Sequence, residues 1–238
     1  MSAPIIVFDL DGTLVDTAPD LVDTLNFILA REGLPPVPFA AARNMIGGGA
    51  RVLIERGLKA DGRLGDAAEI ERLYGDFVAH YGEHLADRSL PFPGVVAAIE
   101  GLAARGCRFA ICTNKLEGLS VRLLDALGLS HHFAVVCGQD TFGLQKPDPE
   151  MLLATIRQAG GSPGRSVMVG DSHNDIEVAR AAKIPVVAVD FGYTETPVSL
   201  LGPDLVISHF DKLPGAVWNL LGVEQPVGSG DRHKYGLA

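Results

Sequence analysis

Ile5-Ile6-Val7-Phe8-Asp9-Leu10-Asp11-Gly12-Thr13 is the stretch of this chain that says most about its architecture. The apolar first half predicts a buried strand, and the Asp-Gly that follows predicts a sharp turn. Two carboxylates therefore lie at the carboxyl end of a strand, where open α/β sheets bind ligands. Burying two like charges together is costly unless a cation or a proton compensates. A helix cap needs only one carboxylate, so the pair favours a site where a hard divalent metal faces a phosphoryl group.

Composition limits the size and the partners of the protein. The chain has 238 residues, of which 47% are hydrophobic, so we expect one large or two unequal domains with an ample core. A formal net charge of −9 argues against nucleic acid or an anionic membrane surface as the partner. A phosphate pocket in such an acidic chain must carry its own local positive charge or metal.

The cysteines and the N-terminus indicate the compartment. Cys107, Cys112 and Cys137 match no zinc-site spacing and are expected to be small buried hydrophobic residues in a reducing environment. Residues 1–4 include no basic segment that precedes a long apolar stretch, and no apolar run reaches the ~18 residues of a membrane span. We therefore expect a soluble cytoplasmic protein, either a monomer or a homodimer.

Strand-like and helix-like segments alternate through most of the chain. The expected strands are Ile5–Phe8, Phe109–Cys112, Ala134–Cys137, Val167–Val169, Val186–Val189 and, more weakly, Leu205–Ile207. The expected helices between and after them are Val95–Arg105, Leu116–Leu127, Pro149–Ala159, Asp175–Ala182 and Leu213–Leu221. This alternation predicts an α/β fold with a doubly wound parallel sheet, a Rossmann-like core.

Residues 16–87 break this alternation, and we call them the helical insert. Four helical patterns occupy the insert: Ala18–Glu32, Phe39–Asn44, Val52–Leu58 and Asp66–Leu85. The Pro- and Gly-bearing segment 88–92 is expected to be a hinge, and residues 1–15 and 93–222 to form the core. Residues 223–238 have no apolar period and are expected to form a loose tail.

Three more segments place polar residues after strand-like runs or loops. Thr113-Asn114-Lys115 suits phosphate oxygens, and a simple Thr-Asn helix cap explains it equally well. Lys146 is a candidate point charge for a phosphoryl group, and Asp171 and Asp175 bracket a helix start, where an N-cap cluster would be worth ~1 kcal/mol. Parallel strands end at one edge of a sheet, so these side chains are expected to share one site with Asp9 and Asp11.

This set of segments resembles the four motifs of the haloacid dehalogenase-like superfamily, in the order found there and over nearly the whole chain. The resemblance implies that Asp9 is the nucleophile, forming an aspartyl-phosphate, and that Asp11 is the general acid and base. It also implies Mg²⁺ held by Asp9, the Asp11 carbonyl and Asp171. An aspartate at position 11 favours phosphate chemistry, because dehalogenases of this fold lack an acid there.

The resemblance assigns the remaining site residues as well. Thr113 and Lys146 would stabilise charge on the phosphoryl oxygens, and Asp175 would orient Lys146 or a metal-bound water. Three further contacts to the substrate are implied, from Gly12, Thr13 and Asn114.

Within the superfamily, Phe8–Leu21 and Ile46–Leu58 are most similar to bacterial phosphoglycolate phosphatases, which implies a small phosphorylated metabolite, 2-phosphoglycolate, as substrate. Gly47 and Gly48 belong to a triple-glycine loop that would approach this ligand closely, and Arg43 or Arg51 would meet its carboxylate. Surface arginines beside a flexible turn would explain the same residues equally well. The motifs would also suit a phosphatase or mutase for a sugar phosphate or pyrophosphate, or a non-catalytic module that binds a phosphorylated metabolite.

Overall fold

A parallel sheet with helices on both faces forms the centre of the protein. The structure is a computed structural model that describes residues 3–222, so the expected tail lies outside it. Within that range, six strands pair in the order β5-β4-β1-β6-β7-β8, and every pairing is parallel. They are β1 (Ile5–Phe8), β4 (Arg108–Cys112), β5 (Phe133–Cys137), β6 (Ser166–Gly170), β7 (Val186–Val189) and β8 (Leu205–Ile207). The expected doubly wound α/β fold is confirmed.

The central strands β1, β6 and β7 are buried on both faces of the sheet, to which successive side chains point alternately. In β1, Ile6 and Phe8 belong to one apolar cluster and Ile5 and Val7 to another, and all four are fully buried. The helices of the core follow their strands: α5 (Val95–Ala103), α6 (Glu117–Ala126), α7 (Pro149–Gln158), α8 (His173–Ala182) and α9 (Leu213–Leu220). Apolar stripes of these helices cover the sheet, which explains the near-continuous hydrophobic runs of its strands.

The helical insert contains α1 (Ala18–Arg31), α2 (Phe39–Arg43), α3 (Ala50–Ala60) and α4 (Ala67–His84). The longest of them, α4, packs against both α1 and α3. Their apolar faces bury Leu25, Leu53 and Phe77, which belong to the same apolar cluster as Ile6 and Phe8 of β1. None of the helices in residues 3–222 is long and apolar enough to cross a membrane.

The insert is joined to the core by a pair of strands that the sequence did not indicate. β2 (Val15–Asp16) and β3 (Leu90–Pro91) pair antiparallel, so part of the expected hinge 88–92 is a strand. The buried carboxylate of Asp20 fixes the segment that leads from the insert back to the core. It accepts hydrogen bonds from Ser89 N at 2.8 Å and Ser89 Oγ at 2.6 Å. Two-residue strands are too short to show a period, which is why sequence patterning missed them.

Candidate active site

Backbone pairing brings the candidate residues to one edge of the sheet. Asp9 follows β1, and its amide continues the strand ladder by donating to Val169 O in β6 at 2.9 Å. Thr113 follows β4, and its amide donates to Cys137 O in β5 at 3.0 Å. Asp171 directly follows β6. The side chains of Asp9, Thr113 and Asp171 are therefore set by the ends of neighbouring parallel strands.

Lys146 joins two of the carboxylates at this edge. Its Nζ lies 2.8 Å from Asp9 Oδ1 and 2.7 Å from Asp175 Oδ1, and the residue is 3% exposed. Burial opposes its charge, but Asp175 and Asp9 outweigh that effect and raise the pKa of Lys146 above its ordinary value. The side-chain amide of Asn114 holds the loop in place, since it accepts from Lys146 N at 2.8 Å and donates to Lys146 O at 3.1 Å.

Hydrogen bonds from neighbouring residues fix the carboxylate of Asp175, which faces Lys146. Its Oδ2 accepts hydrogen bonds from Ser172 N at 3.0 Å, Ser172 Oγ at 2.7 Å and Asp171 N at 3.2 Å. The bond from Ser172 N is one half of a capping box at the start of α8, so one carboxylate both begins the helix and contacts Lys146. A Cβ at Gly170 would lie 2.3 Å from Asp175 Cβ, so only glycine allows this approach.

Asp171 is oriented by donors on two loops. Thr13 Oγ1 donates to its Oδ1 at 2.7 Å, and Tyr193 N donates to its Oδ2 at 2.7 Å. Gly12 has φ +83°, and a Cβ there would lie 2.6 Å from Asp171 Oδ2. Gly12 and Thr13 thus contact the carboxylate of Asp171 in this structure. Tyr193 has no sequence signal that points to this role.

Three buried carboxylates, those of Asp9, Asp171 and Asp175, offer oxygens that all lie within 4.8 Å of one another. One ammonium, that of Lys146, does not balance them. Burial, opposed in part by Lys146, raises the pKa of Asp9 to about 6, and burial with the charges of Asp175 and Asp9 raises the pKa of Asp171 to about 8. Among the described residues, Asp9 Oδ1 is buried with no hydrogen-bond donor besides its ion-pair partner Lys146. This excess of buried oxygen ligands fits a hard divalent cation.

Asp11 lies apart from these carboxylates and faces a lysine to which sequence reasoning gave no role of its own. Lys115 Nζ donates to Asp11 Oδ1 at 3.0 Å and Oδ2 at 3.1 Å, and also to the hydroxyl of Tyr81 at 2.9 Å. Tyr81 belongs to α4 of the insert, so this contact crosses from the core to the insert. A lone lysine and a lone tyrosine carry no spacing signal, and the sequence could not have paired them.

A cavity of about 60 Å³ opens between the sheet edge and the insert. Asp9, Asp11, Thr113 and Asn114 line its core side, and Gly47 and Gly49 line its insert side. Gly47 O accepts a hydrogen bond from Asn174 Nδ2 at 3.1 Å, which holds the glycine loop against the core. Gly48 lies against Val52 instead and borders a second cleft.

The two arginines expected to meet a substrate carboxylate do not line this cavity. Arg43 donates to Phe191 O at 2.7 Å and stacks over the ring of Tyr193. Arg51 is exposed, forms a two-bond ion pair with Glu71 at 3.0 Å and stacks over Tyr74. Their guanidinium groups are thus engaged outside the cavity, and the triple-glycine loop does not carry them into it.

Known proteins resemble this chain along nearly its whole length. The sequence model of the haloacid dehalogenase-like hydrolases matches residues 6–189. A phosphoglycolate phosphatase from Mesorhizobium japonicum is 54% identical over 213 residues, which are 90% of this chain and 94% of that protein. A phosphoglycolate phosphatase from Caulobacter vibrioides is 51% identical over 216 residues, 91% of each chain.

A solved structure agrees with these sequence matches. The crystal structure of a predicted phosphoglycolate phosphatase from Haemophilus somnus has a TM-score of 0.83 and 31% identity, and it covers 91% of this chain and 98% of its own. The family match over residues 6–189 includes the helical insert and the strand ends that carry Asp9, Thr113 and Asp171. The chain therefore belongs to the haloacid dehalogenase-like hydrolase family.

Proposed function

We propose that this protein is a Mg²⁺-dependent phosphatase that hydrolyses 2-phosphoglycolate through an aspartyl-phosphate on Asp9. The observation that carries the proposal is the buried contact between Asp9 and Lys146 beside an unbalanced group of carboxylates. The relatives at 54% and 51% identity support the substrate, since both are phosphoglycolate phosphatases.

Asp9 and Asp11 divide the covalent chemistry between them. A carboxylate oxygen of Asp9 attacks phosphorus and the ester P–O bond breaks, while Asp11 gives its proton to the departing alkoxide oxygen. Water then attacks the phosphorus of the aspartyl-phosphate while Asp11 takes a proton from that water. The P–O bond to Asp9 breaks, which releases phosphate and restores the Asp9 carboxylate. The two residues are two positions apart, and Asp11 faces the cavity beside Lys115, where the leaving group would lie.

The groups around Asp9 would stabilise negative charge at the phosphoryl group. Lys146 lies 2.8 Å from the attacking carboxylate and would stabilise negative charge on the phosphoryl oxygens together with Thr113. Asp9, Asp171 and the Asp11 carbonyl would hold Mg²⁺, which supplies charge neutralisation for the phosphoryl dianion when bound. Asp175 keeps Lys146 in position, and Thr13 and Tyr193 keep Asp171 in position.

The helical insert acts as a cap in this proposal. Residues 16–87 would close over the cavity, with movement at 88–92, and would exclude water from the aspartyl-phosphate. The contacts of Tyr81 with Lys115 and of Asn174 with Gly47 support a closed arrangement. Three buried, unpaired cysteines support a reducing, cytoplasmic location. The monomer or homodimer expected from the sequence stays a prediction.

The test is release of inorganic phosphate from a panel of small phosphate esters, first with Mg²⁺ and then with EDTA. We expect turnover of 2-phosphoglycolate that EDTA abolishes and that Mg²⁺ in excess of EDTA restores. If the enzyme hydrolysed other esters with Mg²⁺ but did not hydrolyse 2-phosphoglycolate, the phosphatase mechanism would stand and the proposed substrate would be wrong. Movement of phosphate between sugar positions would indicate a mutase, and absence of any turnover would reject the enzyme.

A further inference from the structure

The wall of the cavity that faces the substrate beyond its phosphoryl group is mostly apolar. Leu21, Leu53, Phe77 and Leu119 are among the side chains that line it. Lys115 is the only cation on the lining among residues 3–222. Lys146 is already shared between Asp9 and Asp175, and Arg43 and Arg51 bind partners elsewhere.

A phosphorylated acid brings a second negative charge into this cavity. A buried carboxylate that lacks a charged partner would be strongly disfavoured there. The substrate proposed above therefore needs a cation close to its ester oxygen, because its carboxyl carbon is only two bonds from that oxygen. The group that protonates the ester oxygen and the group that binds the carboxylate must then be neighbours. Asp11 and Lys115 are such neighbours, with 3.0 Å between Oδ1 and Nζ.

We propose that Lys115 binds the carboxylate of the substrate and so selects phosphorylated acids over uncharged phosphate esters. The assignment rests on the proposed phosphatase function and names the specificity-determining residue of that site. The three hydrogens of the ammonium now meet Asp11 Oδ1, Asp11 Oδ2 and the Tyr81 hydroxyl, so a substrate carboxylate would replace one of the two contacts with Asp11 while the other remains. The side chain of Lys115 is 6% exposed, which makes its charge effective for a ligand in the cavity.

Tyr81 is the positioning residue for this lysine. Its hydroxyl accepts from Lys115 at 2.9 Å, and the ammonium lies 4.3 Å from the centre of its ring. Burial raises the pKa of Tyr81 to about 12, so the hydroxyl keeps a proton that it can donate to a carboxylate. Because Tyr81 comes from the insert, the carboxylate subsite is complete only while the insert covers the core.

The small volume of the cavity favours a small substrate. At about 60 Å³, it has room for roughly four water molecules at ~15 Å³ of this volume each. A cavity of this size favours a short acid over a sugar ring. Charge and volume thus favour the same class of substrate, a short phosphorylated carboxylic acid.

The experiment compares 2-phosphoglycolate with ethyl phosphate, in which a methyl group replaces the carboxylate. The quantity measured is the ratio of their kcat/KM values in the Mg²⁺-loaded enzyme. Lys115→Met is expected to lower this ratio roughly 10- to 100-fold, the effect of one charge-assisted hydrogen bond. Loss of Lys115 also removes a contact of Asp11, but this lowers kcat/KM for both esters and therefore cancels in their ratio. Lys59→Met, which removes an exposed charge of α3, is the matched control and should leave the ratio unchanged.

A second variant keeps the test decisive if Lys115→Met does not fold. Tyr81→Phe removes only a hydroxyl, and it is expected to raise KM for 2-phosphoglycolate several-fold with little change in KM for ethyl phosphate. An unchanged ratio in Lys115→Met, or equal effects of Tyr81→Phe on both esters, would overturn the assignment and leave the phosphatase function standing. Failure of the wild-type enzyme to hydrolyse either ester would instead overturn the phosphatase function, and the assignment with it.

Discussion

The ammonium of Lys146 lies 2.8 Å from the carboxylate oxygen Oδ1 of Asp9, and both groups are buried. The contact lowers the cost of keeping Asp9 ionised, but burial outweighs it and the pKa of Asp9 stays at about 6. The nucleophile therefore depends on a second positive charge at this edge of the sheet. The charge balance and the residues that support it can each be tested by substitution.

Replacing Lys146 by methionine is expected to destabilise the fold by about 3–5 kcal/mol, because it leaves Asp9 and Asp175 buried without their partner. Chemical unfolding of the two proteins measures the difference. Arg157→Met is the matched control: it breaks an exposed pair with Glu150 and should cost less than about 1 kcal/mol. Equal costs for the two variants would contradict the structural role of the buried lysine.

Asp9→Asn is expected to lower kcat on the order of 10⁴-fold or more, because an amide cannot form the aspartyl-phosphate. The melting temperature should not fall, since the neutral amide avoids the desolvation that raises the pKa of Asp9. Single-turnover phosphate release and thermal unfolding measure the two effects. Residual turnover close to that of the wild type would remove Asp9 from the nucleophile role.

Asp11→Asn is expected to slow hydrolysis of ethyl phosphate roughly 10²- to 10⁴-fold, the usual contribution of a general acid. Trifluoroethyl phosphate has nearly the same size, but its leaving group depends less on protonation. The decrease in kcat/KM for this ester should therefore be clearly smaller. The measurement is kcat/KM for both esters. If the variant slowed the two esters equally, Asp11 would not protonate the leaving group.

Gly192→Ala is expected to weaken metal binding roughly 10- to 100-fold, because a Cβ at this position would lie 2.1 Å from Asp171 Cβ and displace that carboxylate. Isothermal titration with Mg²⁺ measures the change. Gly101→Ala in α5 points into open space, and it should leave Mg²⁺ affinity unchanged while adding ~0.5–1 kcal/mol of stability. Wild-type affinity in Gly192→Ala would show that Asp171 does not hold the metal.

The stability of the metal-free protein is expected to fall as the pH rises from about 4 to 8. The pKa of Asp9 is raised to about 6 and that of Asp171 to about 8, from an ordinary value of 3.8. Between these values the folded chain keeps protons that the unfolded chain releases, so each rise in pH favours the unfolded state until it passes the folded pKa. Thermal unfolding in EDTA across this range measures the trend.

Mg²⁺ should reverse that trend, because it binds the ionised carboxylates of the folded state. At a hundred times its Kd, a bound ion adds ~2.7 kcal/mol, or roughly 5–10 °C in Tm for a chain of this size. The gain should be larger at pH 8 than at pH 6. A gain that does not depend on pH would indicate that Mg²⁺ binds away from Asp9 and Asp171.

Most of the core could be predicted from local patterning. The strands β1, β7 and β8 begin and end at the residues predicted from the sequence. The three remaining strands of the large sheet begin one residue before their predicted starts. Hydrophobic period and turn residues are local properties, so they are readable without a fold. α3 begins at Ala50, two residues before the expected start, because Gly49 with φ +86° ends the loop there.

The sequence by itself determined which polar residues end the parallel strands, and the geometry of such sheets then brought Asp9, Thr113 and Asp171 to one edge. Only the tertiary structure decided which side chains meet them from the insert. It placed Tyr81 against Lys115, and it turned Arg43 and Arg51 to partners outside the cavity. The physical reason is that strand ends follow from local hydrophobic pattern and one pairing rule. Contacts between the insert and the core depend on how the helices of the insert pack against the edge of the sheet, and no periodic sequence pattern encodes that packing.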